Sequence, residues 1–304
     1  MIKKYADAIR VASTLNMSRV DWLQHRGAGI GSSDAAVAIG LSPYKSPLTL
    51  WLEKTKRKES EDISDKDAVI WGIALEPVLA IEYAKRTGRK VRRVNSLLQH
   101  SEYSFMLANL DRETICPFNG TGILEIKTAG YHSAPQWDDG VPIAYQCQVL
   151  HQLAVTGHDW ADVAVLIGGQ DFRIYRIERD DAKIADLIER EQHFWSLVQN
   201  DVQPRPDGSL DASKALSWMY PKSNGQSVDW SAAGDFNLIF QDLIHTRQQK
   251  DQIESKESLL KQQIQNALGE AEVGLFADGR VSWRKSKEGS RRFLIQPLRA
   301  QSIN

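Results

Sequence analysis

Apolar and polar positions change period several times along this chain, and the changes divide it into helical and extended stretches. Ser18 to Leu23 opens like a capped helix, with Ser18 as N-cap and Asp21 at the capping-box position. Arg26 to Asp34 carries three glycines and two serines, which marks a loop, and a short helix follows from Asp34 to Ile39. Pro47 begins another helix, from Leu48 to Lys56, and residues 54–66 form a charged bridge. A long helix is predicted from about Lys66 to Thr87. Val69, Ile70, Ile73, Leu75, Val78, Leu79, Ile81 and Tyr83 give it a broad buried face, and Gly88 ends it. Pro77 predicts a kink or break near Glu76, because it removes one backbone hydrogen bond.

The period then shortens. Val91 to Leu98, Ser104 to Asp111 and Gly120 to Lys127 read as three strands. Val141 to Thr156 is a second long helix, with Pro142 near its first turn and Gly157 past its end. Asp162–Ile167 and Phe172–Ile177 are apolar strands joined by Gly168-Gly169-Gln170-Asp171, a hairpin signal. Asp180 to Val198 is a helix. Proline, glycine, serine and aspartate then dominate from Gln203 to Ser231, which reads as a linker or surface excursion. A polar, partly heptad-like helix from Asp235 to about Ala267 and a closing hairpin, Val273–Phe276 with Val281–Lys285, complete the chain. The organisation expected is a domain over 1–202, a linker over 203–232 and a C-terminal helical extension over 233–304.

Composition narrows the class. With 304 residues, 42% hydrophobic and 25% charged, the chain is neither disordered nor collagen-like. Cys116 and Cys147 are too few for a disulfide framework or a four-thiolate metal site. No stretch approaches the ~20 apolar residues of a membrane span. Asp7 and Arg10 interrupt the place where a signal peptide needs an apolar core, so a cytoplasmic location is expected. Lys+Arg is 38 against 39 for Asp+Glu, a net charge of −1 without the basic excess of many nucleic-acid binders. Only the local arrangement of charge matters to a groove, so this excludes little.

The candidate chemistry lies around two strands. In Glu125-Ile126-Lys127, alternation puts Glu125 and Lys127 on one face. If that strand pairs with the one ending in Asp111, both carboxylates converge with Lys127 beside them. Two carboxylates and a backbone oxygen suit a hard divalent cation such as Mg²⁺. A lysine there can orient the attacking water, help deprotonate it, or stabilise charge on phosphorus. Glu76, on the preceding helix, offers a third carboxylate. Asp-x(n)-Glu-x-Lys is common by chance, and a surface ion pair on a hairpin would produce it too.

The order of elements adds to it: a helix with Glu76, a strand, a strand ending in Asp111, a strand with Glu125-x-Lys127, and a helix with Gln148. This order resembles the PD-(D/E)xK nuclease core, with Leu110-Asp111 where that core has Pro-Asp. More closely, the chain resembles the phage lambda exonuclease or YqaJ viral recombinase family. Arg26 to Ala35, Trp71 to Pro77, Asn109-Leu110-Asp111, Leu124 to Lys127 and Tyr145 to Val149 carry the resemblance, in family order over roughly residues 18 to 200.

The resemblance implies an α/β (α+β) restriction-endonuclease-like fold: a central mixed sheet flanked by helices, extended here by the C-terminal helix and hairpin. It implies Asp111, Glu125 and the Ile126 backbone carbonyl as metal ligands, with Glu76 completing the acidic cluster. Lys127 would be the catalytic lysine, and Gln148 would hold that lysine or the water in place. Arg26, Ser32 and Ser33 would grip a DNA 5′-phosphate, and a Gly-rich turn before a helix with an arginine fork suits an anion on its own terms. The implied cofactor is Mg²⁺, with Mn²⁺ as substitute. The implied substrate is linear double-stranded DNA, digested from 5′ to 3′ to leave 3′ single strands for an annealing protein. A homo-oligomer, by analogy a trimer, and a phage or prophage origin in a bacterial host also follow. One departure is Ser101, followed by Glu102, where the family often has another acid; this touches the choice between one and two metals.

Two other readings stay open: an endonuclease of the same core without end specificity, and an inert DNA-binding or scaffold protein. Arg86, Arg89, Lys90, Arg92 and Arg93, and later Arg284, Lys285, Lys287, Arg291 and Arg292, form basic clusters that suit phosphates or a solvated face equally. Trp51, Trp71, Trp137, Trp160 and Trp195 sit in periodic stretches and are expected in the core. His100, His132, His151 and His158 show no ligand spacing.

Overall fold

A computed structural model describes residues 8–286 and 289–298; Asp7 and Lys287, weighed above, lie outside them. The chain divides into two compact units, Met1–Lys222 and Ser223–Asn304. In the first, β1 (Ala8–Ser13) precedes α1 (Arg19–Gly27), whose Ser18 cap accepts the Asp21 N–H. Next come β2 (Ile30–Gly31), a 3-10 turn over Ser32–Asp34, the one-turn α2 (Ala35–Ala38), α3 (Pro47–Lys54) and α4 (Asp67–Thr87). Five strands follow: β3 (Lys90–Arg92), β4 (Ser96–His100), β5 (Met106–Ala108), β6 (Arg112–Cys116) and β7 (Gly120–Ala129). Then come α5 (Ile143–Thr156), the hairpin β8 (Trp160–Ile167) and β9 (Asp171–Glu178), α6 (Asp181–Gln199) and α7 (Leu210–Met219). The second unit holds α8 (Gly234–Leu268) and a three-stranded sheet of β10 (Val273–Phe276), β11 (Gly279–Lys285) and β12 (Arg291–Pro297).

The expected mixed sheet is present, in the order β3-β6-β7-β8-β9. β7 and β8 run parallel and the other neighbours antiparallel. β7 is buried on both faces. Leu124 and Ile126 pack with Leu79, Ala80 and Tyr83 of α4, while Ile123 joins Val149 and Leu153 of α5 in the main core. Each such side chain stabilises the fold by ~1.5–3 kcal/mol. The strand bearing Glu125 and Lys127 is therefore clamped between helices. Gly122 is required here: a Cβ would stand 2.4 Å from the Trp160 ring.

Several expectations change. The stretch 91–98 is two strands in two sheets, since β4 pairs with β1 and β5 in a smaller sheet ordered β1-β4-β5-β2. Asp111 does not end a strand: β5 stops at Ala108, and Asp111 immediately precedes β6. β6 lacks an apolar pattern because its inward residues are polar and partnered. Arg112 pairs with Glu76, Glu113 with Arg92 and His158, and Thr114 shares a hydrogen bond with Tyr83. α4 runs unbroken through Pro77. Its apolar residues are spread around the helix and only one side meets the sheet. Leu79, Ala80 and Tyr83 are buried, but Ile70, Ile73, Val78 and Ile81 are exposed, and Trp71 is 61% exposed rather than in the core. The supposed linker contains α7. Ala212 and Ala215 are buried, and the Asp211 carboxylate accepts both the backbone N–H and the hydroxyl of Ser46, the cap of α3, at 2.7 Å. The first unit therefore extends to Lys222, not 202.

Candidate active site

The β6–β7 hairpin sets Arg112 opposite Leu124, which brings Asp111 beside Glu125. Asp111 Oδ2 accepts the Ile126 N–H at 2.9 Å. Glu125, 2% exposed, receives three donors: Lys127 Nζ and Gln148 Nε2, each 2.6 Å from Oε1, and Gln152 Nε2, 2.8 Å from Oε2. Gln148 Oε1 accepts from Lys127 Nζ at 3.0 Å, and the ammonium stands 5.0 Å from the centre of the Tyr145 ring. Gln148 and Gln152 are one turn apart on α5, so both amides reach the same carboxylate.

Burial, then the neighbouring Glu125 carboxylate, push the Asp111 carboxyl up to about 8. Burial alone would lower Lys127, but Glu125 and Asp111 outweigh it and hold the group above its ordinary value, as an ammonium. The donor set fits a hard cation: two adjacent buried carboxylates attract a positive charge larger than one lysine supplies. Asn109 Oδ1 and Gln152 Oε1 are buried acceptors without a hydrogen-bond partner, and Asn109 lines the cleft. Glu76 lines it too, and its Oε1 accepts from Arg112. Among the described residues no three His, Cys, Asp or Glu side chains gather as a metal-binding group. Asp111 and Glu125 could hold a metal, with the remaining positions left to backbone oxygen, water and phosphate.

The glycine-rich loop closes the other side of the same cleft. Arg26 Nη2 donates to Ser33 Oγ at 2.8 Å and to Asp34 Oδ1 at 2.7 Å. Lys54 Nζ, at 5% exposure, binds Asp34 Oδ2 at 3.0 Å and the Arg26 carbonyl at 2.9 Å. Burial would raise the Asp34 carboxyl, but Arg26 and Lys54 hold it far below the usual range. Two cations around one carboxylate leave a net positive charge, with Arg26 against the Trp22 ring. Gly29 lets the loop approach the smaller sheet: a Cβ there would meet the Phe105 carbonyl at 2.3 Å. The cleft, about 370 Å³, is lined by Arg26, Ser32 and Ser33 and by Glu76, Asp111, Glu125, Ile126, Lys127 and Gln148.

All the sequence-derived candidates therefore line one cavity. Sequence reasoning gave no role to Lys54, Asp34, Asn109 or Gln152, although Asp34 and Asn109 stand within the motifs that carry the resemblance and Gln152 follows Gln148 at helical spacing. The first basic cluster is largely structural: Arg89 and Arg92 pair with buried Asp162 and Glu113, and Arg86 pairs with Glu82 and lies over Phe172. In the second, Arg284 pairs with Glu272 and Arg291 donates to the carbonyls of Gly269 and Ala271. His151 is wholly buried between Glu191 and the Leu107 carbonyl.

The fold resembles that of an alkaline exonuclease. It is similar to the alkaline exonuclease LHK-Exo from Laribacter hongkongensis, with a TM-score of 0.51 and 23% identity, covering 60% of this chain and 94% of that one. The structure of LHK-Exo in complex with dAMP matches with the same TM-score and coverage, at 25% identity. The model of the YqaJ-like viral recombinase domain matches residues 21–159. The uncharacterized protein YqaJ of Bacillus subtilis (strain 168) is 35% identical over 289 residues, 93% of this chain and 88% of that protein. This chain belongs to the YqaJ-like viral recombinase family. Among the described residues, no helix is long and apolar enough to cross a membrane.

Proposed function

We propose that this protein is a Mg²⁺-dependent exonuclease that digests one strand of linear double-stranded DNA from 5′ to 3′, leaving 3′ single strands for annealing. The observation that carries the reading is the shared cleft: the Asp111/Glu125/Lys127 cluster and the Arg26–Ser33 pair line one cavity. A cluster that hydrolyses phosphodiesters, set beside an anion grip, suits a chain end better than a continuous duplex. The dAMP bound to LHK-Exo agrees with a nucleotide-sized site. Mg²⁺, or Mn²⁺ in its place, would be held by Asp111 and Glu125 with the Ile126 carbonyl; when bound, it supplies Lewis acidity and a more acidic water. Lys127 then stabilises the charge developing on phosphorus, while Gln148 and Gln152 fix Glu125. Glu76 acts through Arg112 and through water. The proposed partners are duplex DNA, a single-strand annealing protein and further copies of this chain, as a homo-oligomer of trimer type. The proposed setting is the cytoplasm of a bacterial host, from a phage or prophage gene.

The test compares linear with covalently closed circular duplex in Mg²⁺. The expected result is digestion of the linear form only. Rapid nicking of the circle would establish the endonuclease reading instead, and binding to both without cleavage would establish an inert scaffold.

Asp111 gives a second test, without DNA. Its folded-state value, about 8, lies above the ordinary 3.8, so the metal-free folded protein holds a proton that the unfolded chain has released. The sign is therefore a stabilising contribution present at low pH and lost as pH rises through about 8. Metal-free wild type should lose Tm relative to Asp111→Asn between pH 5 and pH 8, and Mg²⁺ should restore it in the wild type alone. Parallel Tm curves for the two proteins, unmoved by Mg²⁺, would remove Asp111 from the metal site.

A further inference from the structure

The second unit contains a helix with no evident reason to stand alone. α8 runs for 35 residues, about 50 Å, and none of them is buried. Two ion pairs along it, Lys250–Glu254 and Glu257–Lys261, support it locally, but its apolar residues are left uncovered. Those residues recur partly in heptads, with Leu238 and Leu259 outside the stripe. One row is Phe236, Leu243, Lys250, Glu257 and Ile264; the other is Ile239, Thr246, Ile253, Leu260 and Ala267. Phe240 and Ile244 widen the stripe near its start. Ile239, Leu243, Ile253 and Leu260 are between 49% and 67% exposed.

We propose that α8 pairs with α8 of a second copy of this chain as an antiparallel two-stranded coiled coil. Charge chooses both the occupant and the direction. In a parallel, in-register pair, Lys250 faces Lys250 and Glu257 faces Glu257 within the seam, and Lys256 flanks Lys261 of the other copy. Those like charges oppose association. With the twofold axis between Asp251 and Gln252, the antiparallel pair has none of them. Leu243 then meets Leu260 of the second copy, Ile239 meets Ile264, and Lys250 lies beside Ile253 with Glu257 one layer away. Flanking the seam, Arg247 meets Glu254 of the second copy, twice by symmetry. The polar central layers fix the register, and the apolar layers on either side supply the burial. This pairing joins copies through the second unit, whatever the assembly of the first, and is independent of the nuclease reading.

The test is disulfide trapping on the full chain with copper phenanthroline, using Leu243→Cys, Leu260→Cys and the double variant. The native cysteines are buried. In one continuous helix positions 243 and 260 are about 25 Å apart, so no bond closes within a chain. The expected result is a covalent dimer for most of the double variant and none for either single variant. In addition, Leu243→Glu with Leu260→Glu, checked for helicity by circular dichroism, should lower the native mass to that of the assembly held by the first unit alone. Self-crosslinking of the single variants would establish a parallel pair and overturn the proposal. So would the absence of any dimer from the double variant, or an unchanged mass for the glutamate variant; either would leave the stripe to a different partner.

Discussion

Lys127→Ala lowers the rate of phosphodiester hydrolysis about a thousandfold, or about 4 kcal/mol, the scale of removing one preorganised charge-stabilising donor. Its ammonium is held by Glu125 Oε1 at 2.6 Å and Gln148 Oε1 at 3.0 Å, at the edge of the cleft. It is already positioned when the substrate arrives, so its loss falls on kcat more than on KM. Duplex binding should stay nearly unchanged, because most affinity for DNA comes from contacts spread along the backbone. The Mg²⁺-induced rise in Tm should persist or grow, because removing a cation leaves Asp111 and Glu125 more in need of one. Single-turnover kinetics with a Tm titration read all three. A rate near the wild type would show that β7 is not the catalytic strand.

Arg26→Ala abolishes the preference for a 5′-phosphorylated end. A charge-assisted hydrogen bond contributes ~1.5–3 kcal/mol, so the rate on phosphorylated ends should fall about tenfold to a hundredfold. The rate on 5′-hydroxyl ends should hardly move. The fold survives because Asp34 keeps Lys54 as partner, at 3.0 Å. Arg26→Lys should recover charge but not the fork that spans Ser33 and Asp34, and so only part of the preference. Competition between the two kinds of end in one reaction measures this directly. An undiminished preference in Arg26→Ala would move the phosphate grip elsewhere.

Much of the site was legible because its chemistry is local. Glu125 and Lys127 share a face by strand alternation, and Asp111 reaches them through one tight hairpin. Gln148 stood at a fixed place in the order of elements. What was not legible depends on tertiary pairing. β6 is a strand whose inward residues are charged, which period alone reads as a turn; its partners Glu76, Arg92 and His158 come from elsewhere in the chain. Lys54 reads as the start of a charged bridge, yet its ammonium is buried on Asp34 across 20 residues of sequence. α4 misled in the opposite sense. Its apolar residues suggested a broad buried face, but only the side carrying Leu79, Ala80 and Tyr83 meets the sheet. α7 was hidden by the prolines and glycine around it, although Ser209 caps it and Asp211 ties it to Ser46. The near-zero net charge proved uninformative, since acidic and basic groups are separated within one cleft rather than across the molecule.

We propose that one cleft both grips a 5′ end and hydrolyses the bond beside it with a divalent metal. This is tested most directly by a time course on linear duplex labelled at either the 5′ or the 3′ end, in Mg²⁺ and in EDTA. In Mg²⁺ the 5′ label should be released at once as mononucleotide and the 3′ label late, and in EDTA neither. Early release of the 3′ label, or digestion that continues in EDTA, would contradict it.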